Sequence, residues 1–172
     1  LLGGVYLITY RPIADAQTAK VNQALAGVLP EFDNVPADEA YRVQVDGRSV
    51  TVYPATKSGI FAGAAVEAVT TKGFGGPITL MVGFKADGTI YNTAVISHSE
   101  TPGLGDKMDP KKSDFSLQFK DKNPETFKLA VKKDGGQVDA ITAATISSRA
   151  FCDAVSLAYT AFRQAAQKGG DQ

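Results

Sequence analysis

The chain has 172 residues, 44% of them hydrophobic, enough to fill one globular core and too apolar for a disordered segment. Lys+Arg and Asp+Glu number 18 each, so no global charge draws the protein to nucleic acid or to an anionic membrane surface. A single cysteine, Cys152, excludes an intramolecular disulfide, and with a single histidine, His98, it excludes a zinc site of the usual His/Cys kind.

Leu1 to Tyr10 carries no charge and is mostly apolar. As a helix it would be about 15 Å long, half of a hydrocarbon core of about 30 Å, so it reads as the last half of a transmembrane helix. A buried strand or a signal-peptide remnant are the alternatives. Arg11 and Pro12 end the segment, which sets a boundary between residues 1–11 and a domain over 12–168. The absence of an initiator Met makes a soluble truncation of a longer, single-span protein the expectation. Pro12 suits a first helical turn, and Ala14 to Gly27 is rich in helix formers, with Val21, Leu25, Val28 and Leu29 on one side. Pro30 closes this helix, and Glu31 to Glu39 is an acidic surface loop.

Tyr41–Val45 and Arg48–Tyr53 alternate around Asp46-Gly47, the strongest short hairpin signal. Pro54 to Gly59 reads as a turn. Ala65 to Thr71, with Val66, Ala68 and Thr70 on one face, reads as a strand, its alanines leaving a helix as the alternative. Lys72-Gly-Phe-Gly-Gly-Pro77 is not a phosphate loop: it lacks a Gly-Lys-Ser/Thr ending and precedes a strand. It reads as a hairpin connection. Its glycines would also let the backbone approach a flat ligand, with Phe74 packing against it. Ile78–Phe84 and Thr89–Ser97 are two more strands around Lys85-Ala-Asp-Gly88, which completes an antiparallel β meander.

His98-Ser-Glu-Thr-Pro-Gly-Leu-Gly-Asp-Lys107 leaves the last strand and folds tightly at Pro102-Gly103. The N–H groups of Gly103 and Leu104 would then be exposed beside Glu100 and Thr101. The ordinary reading is a tight loop with a solvated Glu100. Asp106 to Lys133 is lysine-rich, and Phe115, Phe119 and Phe127 have roughly helical spacing, which core packing explains. After the turn Asp134-Gly135-Gly136 comes Asp139-Ala-Ile-Thr-Ala-Ala-Thr-Ile-Ser-Ser148. A short strand, Val138 to Ile141, is expected to feed a helix from about Thr145 to Gln167, whose apolar residues are Phe151, Ala154, Val155, Ala158 and Phe162. Lys168 to Gln172 reads as a frayed tail. A helix start offers free N–H groups and a positive dipole end, which favour an anion such as phosphate. Plain capping by Ser and Thr is the rival explanation of the hydroxyls. Cys152 fits as a small packing residue.

The two stretches, Glu100-Thr-Pro-Gly-Leu-Gly105 and Asp139-x-x-Thr142-Ala-Ala144-Thr145, together resemble the FMN-binding domain found in the G subunit of the Rnf electron-transport complex and in its relative, the C subunit of the Nqr sodium-pumping quinone reductase. The likeness runs from roughly Gln23 to Phe162, and the compact spacing from Gln23 to Pro30 favours the Rnf protein. The departure is Ala143, where the family usually has Gly; alanine suits a helix start, so tolerance is expected. The resemblance implies a single α+β FMN-binding domain, a β meander flanked by N-terminal and C-terminal helices. It implies FMN joined by a phosphoester to Thr145, with Thr142, Ala143 and Ala144 around the phosphate, and Glu100, Thr101, Gly103 and Leu104 along the ring. Asp139 would be read by the flavin transferase, and Mg²⁺-assisted transfer from FAD needs an accessible Thr145 hydroxyl.

The role so implied is electron transfer within a membrane-bound, ion-translocating oxidoreductase complex, with no complete catalytic site and no metal site in this chain. Partners would be the other proteins of the complex and the transferase, not nucleic acid. A single N-terminal helix would anchor the domain on the extracytoplasmic side of the inner membrane. The alternatives are the C subunit of the Nqr pump and a flavin-free extracytoplasmic adaptor.

Overall fold

A computed structural model describes residues 23–34, 36, 40–45, 47–109 and 111–170, with side chains to 164. The apolar N-terminal segment and most of the first helix lie outside these residues. Helix α1 is described over 23–28, where Leu25 and Val28, with Leu29 just beyond, are buried against Ala55, Ala65 and Met81.

Five strands follow: β1 (Tyr41–Val45), β2 (Arg48–Lys57), β3 (Ile60–Thr70), β4 (Ile78–Lys85) and β5 (Ile90–Ser97). Each pairs antiparallel with its neighbour in chain order, which makes one meander. Val45 stands opposite Arg48, the register of the expected two-residue hairpin, and Gly47 is left-handed at φ 79°. On β3 the expected face is buried: Val66, Ala68 and Thr70 are fully covered.

The turn expected at Pro54 to Gly59 is shorter. β2 continues through Pro54, which pairs with Ala64, and the chain reverses only at Ser58-Gly59, both left-handed. A central-strand proline is normally excluded by its missing N–H. Here β1 has already ended opposite Val52. The side of β2 that would face β1 is instead closed by Asn34, whose amide donates to Pro54 O (2.9 Å) and accepts from Thr56 N–H (2.8 Å).

Helix α2 (Thr145–Gly170) crosses one face of the sheet, three residues longer than its expected end at Gln167. Phe151, Ala154, Val155, Ala158 and Phe162 are all buried there, in one core with Val66, Leu80, Val82 and Phe84. Cys152 sits in the same layer; burial pushes its thiol up to about 12, so it packs and stays protonated. Between β5 and α2 the described residues form short 3-10 turns, Gly105–Met108, Phe115–Phe119 and Lys132–Asp134, and no α-helix, although the aromatics there have roughly helical spacing. The left-handed Asp121 interrupts any continuous run. Phe115 and Phe119 pack edge-on and tilted against Phe151, at centroid distances of 5.2 and 4.9 Å. The strand expected at Val138 to Ile141 reduces to a single parallel bridge between Val131 and Val138. Beyond it, the side-chain amide of Gln118 replaces a strand partner: it accepts from Asp139 N–H (2.7 Å) and donates to Asp139 O (2.9 Å).

Candidate functional site

The turn that opens α2 is built by a serine. Ser148, fully buried, accepts from Ile141 N–H (2.8 Å) and donates to Ala144 O (2.8 Å). The Ala144 N–H closes the turn on Ile141 O at 3.0 Å. This geometry places Ala143 in the left-handed region, φ 62°. Alanine was expected to be tolerated here as part of a helix start; Ala143 is instead the reversal before the helix, which begins at Thr145 as expected. A Cβ there costs about 1–2 kcal/mol, which is the physical reason for glycine at this position.

Thr145 follows as the first residue of α2, half-buried, its hydroxyl without a hydrogen bond to any described residue. Helix geometry leaves the N–H groups of Thr145, Ile146 and Ser147 without acceptors four residues back. The Ala144 N–H is committed to the turn, so an anion here would meet the N–H groups of Thr145 and Ile146.

Thr145 opens into a cleft of about 360 Å³ lined by Phe74, Thr101, Leu104, Gly105 and residues 143–147. Its rim carries three exposed hydrophobic side chains, Phe74 (68% exposed), Ile146 (48%) and Leu104 (39%). The cleft thus unites Thr145, Ala143 and Ala144 with Thr101 and Leu104, from a segment some forty residues earlier. It does not include every expected residue. Thr142 is exposed on the far side of the turn, where it lines a separate groove of about 370 Å³ with Asp139, Lys107 and Gln118. Gly103 N–H donates to Asp106 Oδ1 (2.8 Å) and Leu104 N–H to Thr101 O (3.0 Å), so neither amide is free for a ligand edge. Asp139 presents its carboxylate to solvent beside Lys132 (2.7 Å), a pair exposed enough to contribute little to stability.

Glu100 departs most from expectation. It is neither solvated nor on the cleft wall: only 5% exposed, it accepts from Phe74 N–H (2.9 Å), Gly75 N–H (2.7 Å) and the Ser147 hydroxyl (2.5 Å). Burial works to raise its pKa. The hydrogen bonds from Ser147, Gly75 and Phe74, with His98 nearby, together outweigh that and hold the carboxyl below its ordinary value. Phe74 and Ile146 complete the cleft. Phe74 was legible as a lone aromatic in a glycine-rich loop; Ile146 was legible only as an apolar residue on a helix's first turn.

The profile of the FMN-binding domain family matches residues 73–160, the span from the glycine-rich loop through most of α2. The G subunit of the ion-translocating oxidoreductase complex of Pseudoalteromonas atlantica is 43% identical, the match covering 96% of this chain and 85% of that protein. The protein of the same description from Shewanella piezotolerans is 33% identical over 98% of this chain and 84% of its own. That from Erwinia tasmaniensis is 38% identical over 84% and 74%. The chain belongs to the FMN-binding domain family, beside these oxidoreductase-complex proteins. Both stretches that carried the resemblance lie inside the matched span, and the cleft is where they meet.

The residues present fit FMN. Phe74, Leu104 and Ile146 offer apolar surface to a flat ring, and the open N–H groups of the first turn of α2 suit a phosphate.

Proposed function

We propose that the protein is the FMN-carrying, electron-transferring component of an ion-translocating oxidoreductase complex, with the flavin joined covalently to Thr145. The observation that carries this is the Thr145 hydroxyl on the first turn of α2, without a hydrogen-bond partner among the described residues, at the foot of a cleft rimmed by exposed apolar side chains. A hydroxyl not engaged by the residues around it is available to become an ester. With FAD as donor, the Thr145 hydroxyl would form its Oγ1–P bond to the FMN phosphorus as the P–O bond of the FAD pyrophosphate breaks; AMP would be the leaving group, and the hydroxyl proton would pass to solvent. The N–H groups of Thr145 and Ile146 would hold the phosphate oxygens, whose charge the dipole of α2 would favour. Leu104, Phe74 and Ile146 would offer their apolar surface to the ring. Bound FMN supplies the redox chemistry; this chain holds and orients it.

Asp139 stands outside the cleft, and its exposure supports a role in recognition by the transferase. The other proteins of the complex are the partners, as the names of the relatives suggest. The domain would sit on the extracytoplasmic face, anchored through the apolar N-terminal segment. No helix among the described residues is long and apolar enough to cross a membrane, so the anchor would have to come from outside them.

Co-expression with a flavin transferase tests the reading. The protein should run as a fluorescent band in a denaturing gel. Thr145→Ala should lose the band while keeping its circular dichroism, and Thr145→Ser should keep part of it. A fluorescent Thr145→Ala band would overturn the attachment site.

A further inference from the structure

Glu100 joins three segments that are far apart in sequence. Its Oε1 holds Phe74 N–H and the Ser147 hydroxyl, and its Oε2 holds Gly75 N–H. Its own N–H donates to His98 Nδ1 at 3.0 Å. The backbones around it are packed without side chains between them. A Cβ on Gly75 would stand 1.9 Å from Ser99 O, and one on Gly105 would stand 2.3 Å from Ser147 Oγ. Phe74 itself is 68% exposed, so packing does not fix it. Its backbone N–H is held by the Glu100 carboxylate at 2.9 Å.

We propose that Glu100 is a positioning residue: its buried carboxylate ties the glycine-rich loop Lys72–Pro77 to the first turn of α2 and so sets where Phe74 stands over the cleft. Its bearing on flavin rests on the reading of the cleft given above. Glu100 is absent from the cleft wall, so it acts through Phe74 and not by touching the ring. A carboxylate suits the task because two oxygens must accept from three donors. Glutamine offers one accepting oxygen and sets an NH₂ against a backbone N–H; alanine leaves all three donors unpaired in a buried site.

The chain has no tryptophan, so Phe74→Trp creates a single fluorescent reporter on the loop. In flavin-free protein, Phe74→Trp combined with Glu100→Ala should lower the anisotropy of that reporter. The Glu100→Gln and Ser147→Ala combinations should give smaller losses, because each keeps part of the clamp. With equal flavin loading, verified by absorbance, quenching of the reporter by flavin should be strong with Glu100 present and weak with Glu100→Ala. Unchanged anisotropy in folded Glu100→Ala and Glu100→Gln proteins would overturn the proposal. If Glu100→Ala does not fold, the Glu100→Gln and Ser147→Ala proteins carry the same comparison. If the reporter loosens as expected but flavin never quenches it with Glu100 in place, the clamp stands and the flavin reading of the cleft fails.

Discussion

At the residue scale, the opening of α2 is decided by Ala143, Thr145 and Ser148. Ala143 holds a conformation that glycine holds without strain. Ala143→Gly should therefore raise stability by up to about 1 kcal/mol, once the extra freedom of glycine in the unfolded chain is deducted. For a chain of this size that is about 2–4 °C in Tm, and a calorimetric scan showing a lower Tm would count against a left-handed turn at this position. Ser148 is the opposite case, a buried side chain whose loss strands its partners. Ser148→Ala leaves Ile141 N–H without an acceptor and should cost about 1–3 kcal/mol in denaturant unfolding, with covalent flavinylation reduced because the turn before Thr145 loosens.

At the scale of elements, the meander was legible because alternation and Asp46-Gly47 are local signals. The extent of β2 was not, because Pro54 is tolerated only through Asn34, a residue twenty positions earlier that stands where β1 has ended. The stretch between β5 and α2 was misread for a related reason. Its aromatics do pack as their spacing suggested, but the backbone is held by side chains such as Gln118 rather than by a regular ladder. The site divides in the same way. Thr145 and the loop around Leu104 were visible as motifs, while the engagement of Glu100 depends on two backbone amides and a hydroxyl that only the fold brings together. Leu104 lies on the cleft rim at 39% exposure, so Leu104→Asp should leave the thermal midpoint nearly unchanged. It should shift the flavin absorbance bands and the reduction potential. An unaltered spectrum at full flavin loading would remove Leu104 from the ring contact.

At the scale of the whole molecule, acid stability follows from Glu100. Its carboxyl is held below the ordinary value of 4.5, so the folded state favours the charged form. The resulting stabilisation is present above 4.5 and is lost as pH falls through the lower, folded-state value. His98 is the titratable group facing it, and its Nδ1 is already an acceptor for Glu100 N–H. Glu100→Gln should be less stable than the parent at pH about 7 in urea unfolding, with the gap narrowing at pH about 3.5. A gap that is constant with pH would mean that Glu100 is not held charged by the fold. The same carboxylate that secures the cleft thus makes it sensitive to acid.

One hydroxyl, on the first turn of α2, is proposed to carry the flavin. Tandem mass spectrometry of the protein purified after co-expression with a flavin transferase tests this most directly. The expected result is the added mass of FMN less water on the peptide containing residues 134–149, with fragment ions placing it on Thr145. The same mass on Thr142, on Ser147 or on another peptide would contradict it.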